Sequence, residues 1–365
     1  MSLRLLIDAP EFMEAVARDL AAAKHTALVQ AMTFEGDAAG EAVAAAISTC
    51  PATDRRVLVD AFTQHVLSDR FRWWPHNLVS PSLWREWCAT RRMIGGLERG
   101  GARVRFHNPA GFCFRRFPAR NHKKLVAVDG RVAYLGGINF SDHNFGWHDL
   151  MLRVEEPRIA AFLEEDFRAT WEGRPRAGRV AQGGLTLRAL DGRSNEAAFD
   201  EILDLVAQAR DEVFLECPYV TDPFSRELER AARRGVRVRV LTPACHNFPL
   251  LREGLAHAAA RSPIELRLYP GRMTHMKALL VDRRALVVGS ANFDVWSYRS
   301  QQEYLAVVRE PGIVAEFERR VVAPDLACSR PWPRAPQARD ARGLEARLAG
   351  LALLASLGAR APEEP

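Results

Sequence analysis

The 365-residue sequence contains one pattern twice. NHKKLVAVDGRVAYLGGINFSD in the first half pairs with THMKALLVDRRALVVGSANFD in the second, and DLMLRVEEPRIAAFLEEDF pairs with EYLAVVREPGIVAEFERRV. The spacing between the paired segments barely changes along the chain, which indicates that a whole folding unit was duplicated. A chain of this length can form two domains, each with its own hydrophobic core.

Each half alternates short apolar strands with amphipathic helices. In the helix near the start of each half the apolar residues recur with a period of 3.6, at Phe12, Val16 and Leu20 and at Phe199, Ile202 and Val206. This alternation predicts an α/β fold of two similar domains, each a mixed, mainly parallel β-sheet flanked by helices. We expect the two domains to pack about a pseudo-twofold axis with one shared active site.

The boundaries follow from composition. A segment rich in Gly, Pro and Arg predicts a linker, and the first half carries extra residues that include FRWWPHNLVSPSLWREW. The expected parts are a first domain at 1–171 with an aromatic insertion near 63–100, a linker at 172–184, a second domain at 185–325 and a C-terminal extension at 326–365.

Both halves contain a histidine, a lysine two residues later and an aspartate five residues after the lysine. The chain has 51 lysines and arginines together, but only four of them are lysines. The two motifs consist of His122, Lys124 and Asp129 and of His275, Lys277 and Asp282. A compact ammonium is poorly replaced by a planar guanidinium at a phosphate, so lysine at both places indicates an anion site.

On a strand, residues two apart point to the same face, so each histidine and its lysine are expected to project together. Lysines can stabilise the negative charge that develops on a phosphodiester during displacement. One imidazole can attack phosphorus while the other protonates the leaving oxygen. Further hydrogen bonds to the phosphate are expected from Asn139, Asn292, Gly137 and Ser290.

A nucleophilic imidazole needs an acceptor at its other nitrogen. Asp149 and Glu303 occupy matching places on the strand after each motif and are predicted to orient the histidines. Asp129 and Asp282 end their strands at turns, and we expect them to bond local backbone there. The six cysteines and the other histidines show no ligand spacing, so neither a metal nor another cofactor is expected.

The two motifs resemble the paired motifs of the phospholipase D superfamily, over most of residues 1–325. RNHKKLVAVDGRVAYLGGINFSD, followed by WHDLMLRVEEP, is most similar to bacterial cardiolipin synthases of the soluble type. The resemblance implies metal-independent phosphatidyl transfer through a covalent phosphohistidine, with His122 as nucleophile and His275 as acid and then base. The near-symmetry of the motifs leaves the order of the two histidines open. VWSYRSQQE, after the second motif, departs from the pattern of that branch and leaves the acceptor alcohol open.

The expected partner is a phospholipid, with phosphatidylglycerol as the first substrate to consider. A net charge of +6 suits anionic headgroups and nucleic acid alike, but the aromatic insertion favours lipid over nucleic acid. The alternatives are a phospholipase D hydrolase or a phosphodiesterase nuclease with the same chemistry, and an anion-binding module without activity. The sequence does not fix the oligomeric state.

Two segments have a composition that suits contact with a membrane. Trp73, Trp74, Trp84 and Trp87 either dip into a headgroup layer or form the private core of the insertion. The Leu/Ala-rich stretch 344–358 either lies on a bilayer or packs against the body. Scattered cysteines, and the absence of a signal peptide or a long apolar run, predict a cytoplasmic protein, peripheral at the inner membrane face.

Overall fold

A computed structural model describes residues 1–111, 114, 116–193, 195–333 and 341–359. The chain divides into two compact units, one spanning Met1–Arg176 and the other beginning at Ala177. Each unit contains one large β-sheet with helices packed against it. The mixed α/β class predicted from the sequence is confirmed.

The strands of the first unit form a seven-stranded sheet and a small separate hairpin. In chain order they are β1 (Ser2–Ile7), β2 (Thr26–Ala31), β3 (Asp54–Asp60), β4 (Val66–Leu67), β5 (Arg70–Phe71), β6 (Arg103–His107), β7 (Leu125–Val128), β8 (Val132–Gly136) and β9 (Leu150–Glu155). The spatial order in the large sheet is β1-β9-β8-β7-β2-β3-β6, and β4 pairs with β5.

Most neighbouring strands of this sheet are antiparallel, so the expectation of a mainly parallel sheet is wrong. Only β2 with β3 and β3 with β6 are parallel among the described pairs of the sheet. A parallel neighbour needs a long crossover, whereas β7 and β8 are joined by a tight turn. The sequence shows these short turns directly, as in VDGRV. The antiparallel pairs β1 with β9 and β2 with β7 join strands that are distant along the chain.

The helices of the first unit lie on both faces of the sheet. They are α1 (Asp8–Ala21), α2 (Ala38–Thr49), α3 (Pro75–Leu78), α4 (Pro81–Arg99), α5 (Asp142–Phe145) and α6 (Pro157–Trp171), with a 3₁₀ turn at Ala61–Gln64. One core joins α1, α2 and α4 to alternate strand residues such as Val29 and Val57, whereas α6 packs against strands on the opposite side. Strands covered on both faces explain apolar runs such as LVAV in β7.

The insertion is attached to the sheet through buried acidic groups. Glu35, only 1% exposed, accepts the backbone N–H of Ser68 at 3.1 Å and hydrogen-bonds the carboxyl group of Glu86 on α4. Burial is the main cause that raises the pKa of Glu35 to about 9, and the hydrogen bond with Glu86 and the charge of Glu86 also raise it. Glu35 is therefore protonated at neutral pH, and the insertion is joined to the sheet by a neutral carboxyl group.

The second unit has a nine-stranded sheet. Its strands are β10 (Gly178–Gln182), β11 (Leu185–Asp191), β12 (Glu212–Glu216), β13 (Arg237–Pro243), β14 (Glu265–Tyr269), β15 (Ala278–Val281), β16 (Ala285–Gly289), β17 (Gln302–Val308) and β18 (Arg330–Pro331). Its helices are α7 (Glu196–Ala207), α8 (Phe224–Arg233), α9 (Pro249–Ala260), α10 (Val295–Arg299), α11 (Pro311–Phe317), α12 (Ala323–Cys328) and α13 (Ala341–Ala359), with a π-helical turn at Glu318–Val322.

The two sheets share one strand order. β11-β17-β16-β15-β12-β13-β14 repeats the order of the first sheet position by position, and β10 and β18 extend the two edges. α4 occupies the crossover that α9 occupies in the second unit. The extra residues of the first half lie before α4, in α4 itself and between β6 and His122. The segment predicted as a linker, 172–184, contains β10, which pairs with β11. Gly183 and Gly184, at the end of this segment, form the turn of the hairpin between β10 and β11.

The C-terminal helix α13 packs against α9 and α10 of the second unit. Leu344 and Ala355 are buried there, while Leu353 and Leu354 are exposed. Of the two interpretations of stretch 344–358, packing against the body is therefore the observed one for its described side chains. No helix in the described part of the chain is long and apolar enough to cross a membrane.

The two motif aspartates hold matching junctions in the two sheets. Asp129 accepts the backbone N–H groups of Lys24, His25 and Thr26, each at 2.8 Å, and Asp282 accepts those of Arg210, Asp211 and Glu212 at 2.8 to 2.9 Å. The structural role is as expected, but the bonded backbone is the start of β2 or β12, far away in sequence and not local. Burial would raise the pKa of each carboxyl, but the three donors outweigh it and lower the pKa.

We expect Asp129→Asn and Asp282→Asn each to lower the free energy of unfolding at pH 7 by about 1–3 kcal/mol, since an amide presents N–H groups to donors. A carboxyl whose pKa is lower in the native state stabilises that state at pH values above its unfolded-state pKa, near 3.9. This stabilisation is lost as the pH falls through the native-state pKa. The gap between wild type and variants should therefore shrink below about pH 4.

Urea denaturation followed by circular dichroism at several pH values measures this gap. Asp204→Asn, at an exposed position on α7, is the matched control and should leave stability unchanged. A gap that stays constant down to pH 2 would show that the carboxylate charge is not what matters at these turns.

Candidate active site

The two histidine–lysine pairs lie just before the central strands β7 and β15, in extended segments outside the strands themselves. All four side chains are buried: His122 and His275 are 6% and 4% exposed, and Lys124 and Lys277 are 0% and 2% exposed. Each lysine Nζ donates to the backbone carbonyl of its own histidine, at 2.8 Å in the first unit and 2.6 Å in the second. The same local geometry is therefore built twice.

The approach to the first motif is held by a buried ion pair. Arg120 Nη1 donates to Asp60 Oδ1 at 3.0 Å, and the backbone N–H of Asn121 donates to Asp60 Oδ2 at 2.6 Å. The Asn121 side chain then accepts from Gln30 Nε2 at 2.8 Å. In the second unit a hydrogen bond from Thr274 Oγ1 to Glu216 takes the place of the Gln30–Asn121 bond. Each motif segment is thus fixed to the end of the neighbouring strand, β2 or β12.

Lys123, between His122 and Lys124, has a separate role. Its Nζ lies 2.7 Å from Asp166 Oδ2 on α6, and both side chains are fully buried. Met276 occupies the equivalent position in the second motif and is also buried. Removing one member of a buried pair leaves an uncompensated charge, so Lys123 is a structural residue of the first unit.

Four residues were predicted to contact phosphate, and two of them are engaged elsewhere. The Gly137 amide donates to Leu150 O at 3.0 Å, and the Ser290 hydroxyl donates to Glu303 Oε2. A Cβ on Gly137 would lie 2.2 Å from Asp149 Oδ1, so glycine is required for close approach to that carboxylate. These two residues support Asp149 and Glu303, and their expected contact with phosphate is not supported.

The two asparagines remain candidates for the phosphate. Asn139 is 6% exposed, and its Oδ1 accepts the Thr33 N–H at 3.3 Å, which directs its amide nitrogen toward Asn144 at 3.5 Å. Within the described part of the chain, Asn292 Oδ1 is buried without a hydrogen-bond partner. This oxygen can only accept a hydrogen bond and a phosphodiester offers no donor, so a phosphate contact would come from the Asn292 amide nitrogen.

Both acids were expected on the strand after each motif; Glu303 lies within β17, whereas Asp149 lies directly before β9. Both are buried, at 2% and 0% exposed. Glu303 Oε1 accepts the Ser297 hydroxyl at 2.8 Å, and Asp149 Oδ1 accepts the Leu150 N–H at 2.8 Å. These bonds fix each carboxylate in a single orientation.

The structure adds residues around His275 that the sequence did not indicate. The Tyr219 ring packs edge-to-face against both His275 and His246, with ring centroids 6.1 and 5.5 Å apart, and its hydroxyl donates to Asn247 at 2.7 Å. Burial lowers the pKa of His246 to about 4, although its bond to Pro218 O raises it, so His246 is neutral at pH 7. These residues come from loops after β12 and β13, and no motif spacing links them to His275.

Asp294, two residues after Asn292, is another buried acid close to the motif. Burial chiefly raises the pKa of Asp294 to about 7; the charge of Glu303 adds to this, and Lys277 opposes it. Its Oδ1 accepts the Ser297 N–H at 2.9 Å and so caps α10. The second site therefore contains two buried acids, Asp294 and Glu303, together with the buried Lys277.

Known structures share this fold. The phosphatidylserine synthase of Haemophilus influenzae Rd KW20 superposes with a TM-score of 0.68 at 14% identity, over 97% of this chain and 94% of that one. The polyphosphate kinase of Porphyromonas gingivalis gives a TM-score of 0.60 at 14% identity, over 96% of this chain and 53% of that one. At such identities the likeness concerns the fold alone.

The similarity to sequence relatives is more specific than the similarity of fold. Cardiolipin synthase A of Pseudomonas aeruginosa is 26% identical over 341 residues, which cover 86% of this chain and 65% of that protein. Cardiolipin synthase B of Escherichia coli K12 is 24% identical over 337 residues, with 84% of this chain and 76% of that protein covered. The chain thus spans about two-thirds of the length of the first of these relatives.

A family model described as "Cardiolipin synthase, PLD-like domain" matches residues 16–171 and 202–322. The two matched segments contain both histidine–lysine motifs together with Asp149 and Glu303. Since the matches cover well over half of the sequence, the chain belongs to this cardiolipin synthase, PLD-like domain family.

Proposed function

We propose that this protein is a phosphatidyltransferase that moves a phosphatidyl group from a phospholipid, phosphatidylglycerol first, to an alcohol. The observation that carries the proposal is the duplicated pair of a buried histidine with a buried lysine. Buried ammonium groups are costly unless negative charge lies near them, and a phosphodiester supplies such charge. The names of the relatives agree with a lipid substrate.

In the proposed first step, the His122 imidazole attacks phosphorus and forms a P–N bond while the P–O bond to the leaving glycerol breaks. The His275 imidazolium gives its proton to the departing oxygen. In the second step the acceptor alcohol attacks the same phosphorus, its proton passes to His275, and the P–N bond breaks. Asp149 and Glu303 would orient the two imidazoles, and Lys124 and Lys277 would stabilise the nonbridging oxygens.

The test of this function uses phosphatidylglycerol vesicles without added metal, with products identified by mass spectrometry. We expect cardiolipin and glycerol from wild type, and rates lowered by about 10⁴-fold in His122→Ala and His275→Ala. His25→Ala, at an exposed position whose contact with Asp129 is made by the backbone, is the matched control and should keep full activity.

Other products decide between the alternatives. Phosphatidic acid alone would indicate a hydrolase, and cleavage of DNA without any lipid product would indicate a nuclease and overturn the lipid proposal. Loss of all turnover while vesicle binding persists would leave an anion-binding module.

The order of the histidines is tested with bis(p-nitrophenyl) phosphate, whose leaving group needs no proton. We expect His275→Ala to release a stoichiometric burst of p-nitrophenol, because the nucleophile is intact while the base for the second step is missing. His122→Ala should give no burst. Peptide mapping should find the phosphorylated adduct on His122, and an adduct on His275 would reverse the assignment.

Membrane contact is proposed for the insertion. Trp73, Trp74 and Trp84 are 46%, 58% and 54% exposed, which counts against a private core, and Leu78 and Val79 are exposed beside them. Arg72 lies over the Trp87 ring at 4.2 Å and also over Trp73 and Trp84. Exposed indoles with an arginine suit a layer of anionic headgroups. We place this contact at the inner membrane face, as suits the free thiols Cys50 and Cys217.

We expect a variant with Trp73, Trp74 and Trp84 all changed to Ala to bind phosphatidylglycerol vesicles at least about tenfold more weakly in sedimentation assays. Its activity on soluble bis(p-nitrophenyl) phosphate should be unchanged, because the patch lies outside the motifs. The matched control changes the exposed Leu353 and Leu354 of α13 to Ala and should bind as wild type does. Equal vesicle binding by the tryptophan variant would remove the insertion from the membrane contact.

A further inference from the structure

The second unit contains a cavity of about 540 Å³ beside α8, α9, α10 and α13. This volume lies within the roughly 300–1,000 Å³ typical of small-molecule sites. Its walls are mainly apolar and include Val220, Leu251, Ala258, Trp296, Leu348 and Ala352. An apolar cavity of this size differs from the small voids that imperfect packing leaves in a core.

Helix α13 covers the cavity and fits closely over α9. Gly254 on α9 faces Leu348 of α13, and a Cβ on that glycine would lie 2.9 Å from Leu348 Cδ1. Leu344 is buried at one end of the contact and Ala355 at the other. Helix α13 thus packs against the unit at several points, while the cavity stays open beneath it.

The charged groups at the rim are paired with one another. Arg226 Nη2 donates to Asp222 Oδ2 at 2.6 Å, and Arg261 Nη1 donates to Glu345 Oε1 at 3.2 Å. His257 Nε2 also lies 3.4 Å from Glu345. Because both arginines are neutralised, the rim does not select an anionic ligand, and the apolar walls dominate recognition.

One wall of the cavity is continuous with the second motif segment. Val220 pairs with Phe293, the residue after Asn292, in an isolated parallel bridge. The next residues, Val295 and Trp296, line the cavity, and the Val295 N–H donates to Thr221 Oγ1 at 2.8 Å. An occupant of the cavity would therefore contact Val295 and Trp296 at the start of α10, shortly after Asn292.

We propose that this cavity is a binding site for one hydrocarbon chain of a lipid, with α13 as its cover. The apolar walls, the neutralised rim and the volume all fit an unbranched alkyl chain, whose affinity grows with each methylene buried. The site lies outside the phosphate chemistry proposed above. Its test measures binding without turnover, so either proposal can fail without the other.

The probes are lysophosphatidylcholines with chains of 8, 10 and 12 carbons, titrated calorimetrically into the full chain below their micelle concentrations. We expect the affinity to rise about fourfold for each added methylene, as transfer from water predicts. Glycerophosphocholine, which has no chain, should not bind. A 12-carbon probe with a terminal diazirine should label peptides of α9 and α13 on irradiation.

Two variants fill the cavity from different helices, so that one misfolded protein cannot decide the result. Ala258→Phe on α9 and Ala352→Phe on α13 should each weaken binding of the 12-carbon probe at least tenfold. Ala260→Phe and Ala346→Phe, at exposed positions on the same two helices outside the cavity lining, are the matched controls and should bind as wild type does. Thermal melting checks that all four variants are folded.

Several results would overturn the proposal: affinity independent of chain length, equal binding by filled and control variants, or labelling confined to other parts of the chain. A competition arm identifies the source of the chain. Displacement of the 12-carbon probe by long-chain but not dihexanoyl phosphatidylglycerol assigns the site to a chain of the diacyl substrate. Displacement by single-chain lipids alone assigns it to a separate lipid, and both results support the chain site.

Discussion

Each half of this molecule is organised around a lysine ammonium that is buried and bonded to the carbonyl of the histidine two residues before it. Removing such a charge from water is expensive, so the surroundings must supply negative charge and hydrogen bonds. In the second unit the Asp294 carboxyl interacts electrostatically with Lys277 and supplies part of that charge. The motif aspartates, the central strands and the buried carboxylates are the fixed surroundings of that ammonium, and under the proposed function a phosphodiester is its partner.

Much of this arrangement was predictable from the sequence, because a duplicated chain contains the same pattern twice. The shared strand order, the positions of Asp149 and Glu303 and the structural character of Asp129 and Asp282 all follow from aligning the halves. The bonding partners of those aspartates were not predictable. Asp129 reaches the start of β2, and sequence spacing carries no signal for contacts between strands that are distant along the chain.

Other features escaped prediction for physical reasons. A tight turn makes β7 and β8 antiparallel, but β1 with β9 and β2 with β7 are antiparallel pairs of strands that are distant along the chain, so local patterns do not report their direction. The sequence around Ser290 is the same whether its hydroxyl bonds a phosphate or Glu303, and only the tertiary structure distinguishes these two roles. Tyr219 contacts both His246 and His275 because three loops end at the same place, and local periodicity cannot report such contacts.

The protonated Glu35 has a consequence for the proposed contact between the insertion and a membrane. A surface of anionic lipids carries a negative potential, which concentrates protons as well as basic side chains within a Debye length. Under the proposed contact of the insertion with such a surface, Glu35 sits in a layer more acidic than the bulk solution. Because the pKa of Glu35 is about 9, its carboxyl is already neutral at pH 7 and stays neutral in that layer. The joint between the insertion and the sheet therefore keeps its charge state when the membrane is contacted.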